Sequence, residues 1–293
     1  MKQLKKLLPG LRENESLKDY TTFKIGGPAK YFFVAKNEAD LIKAVDLAHT
    51  NNLPYWVLSG GSNVLIADQG YDGLVIKLEN RLIKFDSPEV LVEAGVMLNK
   101  LVAECTKNNL TGLEWAAGIP GTVGGAIRGN AGAFGSEMKD SLIWVEVIRD
   151  RKNTKLNKVE CQFVYRNSVF KKEKSIIIKA LLKLETGDKQ KIQDKVNSHI
   201  NTKQETQPCK FPSAGCIFKN PEGKSAGQLI EQAGLKGKKI GDAMVSPVHA
   251  NFIVNLGQAQ AEQVIMLISY IKQQVRTKHQ IQLQEEIEYI GFD

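Results

Sequence analysis

Apolar and polar positions change period several times along the chain, and each change marks an element. Ala29 to Ala35 (AKYFFVA) is a short run of aromatic and apolar residues that predicts a strand. The stretch NEADLIKAVDLAHTNN then spaces Leu41, Ala44, Val45 and Ala48 along one helical face, with Asn37 as N-cap and Asp40 three residues on. PYWVL predicts a second strand, and VLIAD, GLVIKL and VLVEAG predict three more. MLNKLVAECTKNN has the spacing of a second amphipathic helix. Further on, SLIWVEVIRD, KLNKVECQF and SIIIKALLKL read as strands joined by short turns, so this part is antiparallel or mixed.

Residues 187–206 predict a polar helix rich in Lys and Gln, the best candidate for a boundary. A smaller unit follows. It begins with PSAGCIFKNP, in which Cys216 stands where a turn gives way to the apolar run Cys216-Ile217-Phe218. A helix at SAGQLIEQAG, a strand at NFIVNL and a long helix at AEQVIMLISYIKQQVRTK come next. The last strand, IQLQEEIEYIG, alternates, with Glu286 and Glu288 on one face and Ile287 and Tyr289 on the other. Strands and helices are mixed without regular alternation, which makes the class α+β. The expected layout is an N-terminal helical segment over 1–20, a domain over 21–187 with subdomains at about 21–80 and 81–187, and a smaller domain over 188–293. A length of 293 residues agrees with two domains.

Composition narrows the function classes. The chain is 42% apolar and 25% charged, which excludes disorder. No apolar run approaches the ~20 residues of a membrane span. The N-terminus, MKQLKKLLPGLRENESL, lacks an apolar core followed by a small-residue cleavage site, so a mature cytoplasmic chain is expected. The four cysteines form no C-x-x-C pair and have no histidine at ligand spacing, so no metal is expected. The net charge of +8 comes from scattered lysines, with no basic run interleaved with aromatics. Nucleic acid is therefore not the expected partner, although a basic nucleotide- or nucleic-acid-binding protein stands as an alternative. An enzyme acting on phosphorylated small molecules explains the charge equally well.

Two glycine loops carry the strongest chemical signal. The first, Ser59-Gly60-Gly61-Ser62-Asn63, follows the strand PYWVL and runs into Val64 and Leu65. Such a turn is either a polar connection between strands or an anion-binding nest of backbone N–H groups. The second, GIPGTVGGAIRGNAGAFG, has glycines at Gly118, Gly121, Gly124, Gly125, Gly129, Gly132 and Gly135, mostly three apart. It reads either as a glycine-rich Ω-loop or as backbone laid flat against a large ligand. The entropy lost in ordering so many glycines favours the ligand. The dinucleotide fingerprint G-x-G-x-x-G and the P-loop pattern are both absent.

Together, GGSNVLI after a strand and GIPGTVGGAIRGNAGAFG resemble the FAD-binding domain of the vanillyl-alcohol-oxidase (PCMH) type. The resemblance narrows through Thr21-Thr22-Phe23-Lys24-Ile25-Gly26-Gly27, the run Tyr165-Arg166-Asn167-Ser168-Val169-Phe170-Lys171, PSAGCIFKNP, HANFIVN and QEEIEYIG. In that order these segments are similar to the UDP-N-acetylenolpyruvoylglucosamine reductase family, over nearly the whole chain.

The resemblance implies an FAD-binding domain followed by a smaller α+β substrate domain. It implies NADPH as reductant, non-covalent FAD, and a UDP-sugar whose enolpyruvyl double bond is reduced in peptidoglycan precursor synthesis. Ser59, Gly60, Gly61, Ser62, Asn63, Val64 and Leu65 would face FAD. So would Gly118, Ile119, Gly121, Thr122, Gly124, Gly125, Ala126, Asn130, Gly132 and Ala133. Arg166 would stabilise the enolate, since a guanidinium grips a carboxylate in two-pronged fashion and stays charged. Glu286 matches the family's catalytic glutamate, with Glu285 and Glu288 as the alternative choices. Lys219 and Asn220 would contact diphosphate and substrate. Tyr165 and His249 would face substrate, although Tyr165 could equally pack and His249 could equally cap a turn.

Cys216 occupies the position of a serine that in most of the family donates the final proton. A thiol, with an ordinary pKa near ~8.5, is a stronger acid than an alcohol. Simple packing is the other reading of that sulfur. The short interval from 167 to 215 is similar to the shorter subclass, without an extra substrate-covering loop. A monomer is expected. Another FAD-dependent oxidase or dehydrogenase of the same fold is the alternative enzyme.

Overall fold

The computed structural model describes residues 6–149 and 151–292. The amphipathic stretch after Lys36 is the helix Glu38–Thr50. Asn37 caps it by accepting from the Asp40 amide at 2.9 Å, and Leu41, Ala44, Val45 and Ala48 are its buried stripe, as their spacing predicts. The second helix is Leu98–Lys107, which buries Leu98, Leu101, Val102, Cys105 and Thr106. Among the strands, Tyr55–Leu58 runs parallel to Tyr71–Leu78. Two antiparallel strands appear where the pattern places them, at Leu142–Arg149 and Ile176–Lys183, and a third, Lys152–Asn157, starts and ends earlier than expected. With Glu89–Glu93 and Ile83–Asp86 they form one five-stranded sheet, antiparallel throughout.

Contacts divide the chain into two units. Among the described residues, the first comprises those within 6–12, 31–60 and 73–202, and the second those within 13–30, 61–72 and 203–292. Each has its own apolar core. That of the first runs from Leu8 through Ile76, Val92, Ile127 and Val147 to Val196. That of the second joins Phe23, Ile25 and Leu65 to Ile217, Phe218, Ile253, Ile268 and Ile287. The second unit has an antiparallel sheet in the order Ser213–Cys216, Phe252–Asn255, Ala243–Val245, Lys239–Ile240. It also has the helices Ala226–Gln232 and Ala261–His279. Asp68 accepts from the Ala261 and Glu262 amides at 2.9 and 3.2 Å and so caps the long helix. Val64–Ile66 pairs in parallel with Glu288–Ile290, which is how a segment so early in the chain joins the C-terminal residues.

Four local readings change. The glycine tract is not an irregular loop, because residues Val123–Gly129 form a helix capped by Thr122 and ended by Asn130 at φ +44°. The turn after Glu89–Glu93 holds it: the Val123 amide donates to the Val96 carbonyl at 2.9 Å and the Gly124 amide to the Ala94 carbonyl at 2.9 Å. The segment 155–163 is a strand only as far as Asn157, since Asn157 turns the chain by accepting from the Val159 and Glu160 amides at 2.9 and 3.1 Å. Cys216 ends its strand, Ser213–Cys216, rather than beginning one. The final strand is only Glu288–Ile290, so Glu286 lies outside it and the predicted alternation does not fix its direction.

Candidate active site

In the first unit the two glycine loops touch. A Cβ at Gly60 would lie 2.5 Å from the Gly121 Cα, so only glycine allows this approach. The Ser59 and Thr122 hydroxyls are in hydrogen-bond contact, and the Lys77 ammonium donates to the Ser59 carbonyl oxygen. Gly118 is tied to Asn99, whose Oδ1 accepts its amide at 2.9 Å, and the Gly121 carbonyl accepts from the Leu98 amide at 3.0 Å. Gly124 packs so tightly on Ala94 that an added Cβ would meet its Cβ at 2.8 Å.

Gly125 is different. It is exposed, and a Cβ there would meet only the Thr122 hydroxyl oxygen at 3.8 Å. Gly129 has nothing within 4 Å. A glycine inside a helix costs about 1 kcal/mol relative to alanine. Neither position needs glycine for packing, so the absence of side chains there fits a surface that a large ligand approaches.

Asn130 is fully buried. Its Nδ2 donates to Glu137 at 2.9 Å and to the Val164 carbonyl at 3.1 Å, while its Oδ1 accepts from the Lys139 amide at 3.1 Å. Its role in the structure is to hold the tract to the Tyr165-Arg166 turn. Val164 and Asn167 exchange two backbone hydrogen bonds of 3.1 Å across that turn. Arg166 sits in it at φ +53°, a conformation that disfavours any side chain. Its Nη2 donates to the Gly132 carbonyl at 2.7 Å, and its guanidinium lies 5.1 Å from the Tyr165 ring. Ile119, Ala126 and Ala133 are covered to differing degrees along the same tract.

In the second unit, the remainder of the first loop meets the C-terminal residues. Gly61 sits at φ +62°, with its carbonyl accepting from the Thr22 amide at 3.0 Å. A Cβ on Gly61 would meet the Tyr20 carbonyl oxygen at 2.1 Å. The amides of Gly61 and Ser62 donate no hydrogen bond among the described residues, so they are available to an anion. Asn63 Nδ2 donates to the Glu286 carbonyl at 3.0 Å, and the Glu288 amide donates to the Asn63 carbonyl at 3.0 Å. The Leu65 side chain is buried in the core and its backbone pairs with Glu288–Ile290, so Leu65 supports the loop from behind.

Cys216, Lys219 and Glu286 are brought together by one ladder. The Glu286 amide donates to the Ile217 carbonyl at 2.8 Å, and the Lys219 amide donates to the Gln284 carbonyl at 2.9 Å. Cys216 is half-buried and in no disulfide. Asn251, which the sequence does not single out by its type, clamps the other side. Its Nδ2 donates to the Phe218 carbonyl at 2.8 Å, its Oδ1 accepts from the Phe218 amide at 3.0 Å, and its carbonyl accepts from the Ile217 amide at 2.8 Å. Glu285 is engaged by Lys272 at 2.8 Å.

Asn220 Oδ1 accepts from the Ala226 amide at 2.9 Å, tying its turn to the start of a helix. His249 Nδ1 accepts from the Asn251 amide at 3.2 Å, its ring lies edge-on to Phe252, and burial pushes its pKa down, which favours the neutral ring. Lys77 and Asn251 are the site residues that sequence reasoning missed. A lysine alternating with apolar residues in GLVIKL is the only signal for the first, and a polar residue opening the apolar run NFIVNL for the second.

Known proteins share this architecture over nearly the whole chain. Residues 29–153 match the FAD binding domain family, and residues 207–290 match the UDP-N-acetylenolpyruvoylglucosamine reductase, C-terminal domain family. The chain is 43% identical to the UDP-N-acetylenolpyruvoylglucosamine reductase of Caldicellulosiruptor saccharolyticus, over 98% of this chain and 94% of that protein. It is also 43% identical to the enzyme of that name from Carboxydothermus hydrogenoformans, over 98% and 96%. The crystal structure of the UDP-N-acetylenolpyruvylglucosamine reductase from Thermus caldophilus superposes with a TM-score of 0.84 at 39% identity, covering 96% of this chain and 100% of that one. Alkyldihydroxyacetonephosphate synthase shares the fold alone, at a TM-score of 0.50 and 15% identity. The fold is therefore an N-terminal FAD-binding domain of the PCMH type with a C-terminal α+β domain, and the chain is an oxidoreductase.

Proposed function

The chain belongs to the UDP-N-acetylenolpyruvoylglucosamine reductase family, and from that premise we propose that it reduces the enolpyruvyl group of the UDP-sugar to UDP-N-acetylmuramate with NADPH. The observation that carries this reading is the pair of family matches on a chain whose full-length relatives share that name. The first unit's residues fit FAD, with touching glycine loops at Gly60 and Gly121 and open backbone at Gly125 and Gly129; in the second unit the Gly61 and Ser62 amides donate no hydrogen bond among the described residues. Bound there, FAD supplies the transfer of hydride from NADPH to the terminal carbon of the enolpyruvyl double bond.

The protein's part is to manage the charge and the proton. Hydride addition leaves negative charge that spreads onto the substrate carboxylate. Arg166 meets that charge, and stabilisation of this kind is worth ~3–4 kcal/mol. Glu286, anchored through its backbone to Asn63 and Ile217, holds the carboxylate region in position. The Cys216 Sγ–H bond breaks, its proton goes to the carbon next to the carboxylate, and the electron pair stays on sulfur. Lys219 and Asn220 serve the nucleotide diphosphate and the sugar, and Tyr165 and His249 line the substrate.

The interval between Arg166 and Cys216 is filled by Ile176–Lys183, Glu185–Thr186 and the helix Lys189–Thr206, which supports assignment to the shorter subclass without a substrate-covering loop. The test is a visible spectrum of purified protein, bleached by NADPH and restored by the enolpyruvyl UDP-sugar. A colourless protein that no added FAD turns yellow would overturn the reading. A yellow protein that NADPH reduces but the UDP-sugar does not reoxidise would favour another flavin oxidoreductase of this fold.

A further inference from the structure

Beneath the contact between the glycine loops lies a lysine that the mechanism above does not use. Lys77 is next to last in the strand Tyr71–Leu78 and pairs in register with Leu58, the residue before Ser59. Ile76 and Leu78 join the apolar core, and the period of two sends Lys77 to the opposite face. There its ammonium donates to the Ser59 carbonyl, while the Ser59 hydroxyl contacts that of Thr122, the cap of the helix Val123–Gly129. Lys77, Ser59 and Thr122 therefore link the two loops within one unit.

Burial disfavours the charged form of Lys77 and pushes its pKa down. No carboxylate lies within ion-pair distance of its Nζ among the described residues. Glu79, the carboxylate that acts on it, is engaged with Arg81 at 3.3 Å. Lys77 is half-buried, and a cation partly withdrawn from water is ordinarily paired, because an unpaired one loses hydration without return. A single carbonyl is an incomplete partner for three ammonium donors.

We infer that Lys77 is a cofactor-binding residue whose ammonium, set under the Ser59–Thr122 junction, supplies the positive charge that answers a dinucleotide's diphosphate. The inference rests on FAD being the cofactor. It explains why a polar cation occupies a mostly apolar strand, and it gives the two loops a shared electrostatic centre rather than hydrogen bonds alone.

The experiment compares wild type, Lys77→Met and Lys77→Arg. Flavin-stripped full-length chain is titrated with FAD and with riboflavin, which has no phosphate, by flavin fluorescence over a KCl series. The FAD dissociation constant of Lys77→Met should rise by about tenfold or more, because a charge-assisted contact is lost. Its salt dependence should be shallower than that of wild type, riboflavin affinity should be unchanged, and Lys77→Arg should recover most of the FAD affinity. Melting without FAD should change little in Lys77→Met, since the half-buried lysine gives up its desolvation cost together with one hydrogen bond to the Ser59 carbonyl. Should the stripped chain not stay folded, release of FAD from the loaded protein on dilution gives the same comparison.

FAD affinity within about twofold of wild type would overturn the inference. So would equal weakening of FAD and riboflavin, or a loss of affinity matched by a loss of flavin-free stability, which marks a lysine that only props the loop. A change confined to the Michaelis constant for NADPH or for the UDP-sugar would overturn it too, by assigning the charge to another diphosphate. A wild type that takes up no FAD would instead defeat the functional reading, so the two failures are distinguishable.

Discussion

Replacing Asn251 by alanine tests whether the segment that follows Cys216 is held by the side chain just ahead of the neighbouring strand Phe252–Asn255. Asn251 is 3% exposed, and both ends of its amide are spent on Phe218, at 2.8 and 3.0 Å. Phe218 is itself 1% exposed, so its amide and carbonyl cannot turn to water when the side chain is removed. A buried backbone group left unsatisfied costs about 1–3 kcal/mol, so two give a loss of about 2–6 kcal/mol. The bond from the Ile217 amide to the Asn251 carbonyl survives the substitution, which favours the lower half of that range. A loss of that size leaves a domain of ordinary stability largely folded.

The assay is urea unfolding of the loaded protein together with stopped-flow measurement of each half-reaction. Bleaching by NADPH should keep its rate, while reoxidation by the UDP-sugar should slow, because Cys216, Lys219 and the Ile217 carbonyl that anchors Glu286 all lie on the released segment. Asn251→Asp keeps the acceptor but sets a carboxylate against the Phe218 carbonyl, so it should be at least as damaging as alanine. Unfolding free energy changed by less than about 1 kcal/mol, with reoxidation unaltered, would refute the clamp.

Gly125→Ala should raise stability without flavin by about 0.5–1 kcal/mol, since its Cβ has room in a helix, yet lower the flavin content of purified protein, whereas Gly61→Ala should fail to fold because its Cβ would strike the Tyr20 carbonyl at 2.1 Å. Melting and visible absorbance of the two variants check this, and a fully yellow Gly125→Ala would count against ligand approach there. Arg166→Gly should relieve the strain at φ +53° by about 1–2 kcal/mol while abolishing reoxidation, and Arg166→Lys should slow reoxidation by at least ~100-fold while sparing bleaching. Cys216→Ala should slow only the second half-reaction, by roughly 100-fold or more, while Cys216→Ser should keep it. His249 should make the protein less stable in acid. Its ring is neutral when folded and its pKa is pushed down by burial, so its effect is absent above an unfolded value near ~6.5 and grows as pH falls from there toward the folded value. Urea midpoints across that window should fall less for His249→Gln than for wild type.

The residue pattern alone determined whatever depends on near neighbours. The helix Glu38–Thr50 was legible because its apolar spacing and its Asn37 cap lie within a few residues of each other, and Glu89–Glu93, Leu142–Arg149 and Ile176–Lys183 were legible from their apolar runs, whereas the polar strand Lys152–Asn157 was misplaced and Ile83–Asp86 was not seen. The glycine loops were legible as motifs for the same reason. What tertiary structure decided rests on partners far apart in the chain. Seven residues of the glycine tract, poor helix formers by composition, are helical because the Ala94 and Val96 carbonyls take their first amides. The last strand is short because only Glu288–Ile290 finds Val64–Ile66 to pair with. Thr22 reaches Ser213 at 2.7 Å, Asn63 reaches the Glu286 carbonyl, and Asn251 reaches Phe218, all across gaps that no local period encodes. Lys77 read as one polar position in an apolar strand until the fold put the Ser59 carbonyl over it and left no carboxylate beside it. Periodicity fixes which face of an element is buried, but hydrogen-bond partners and uncompensated charge depend on which other elements the fold lays against that face.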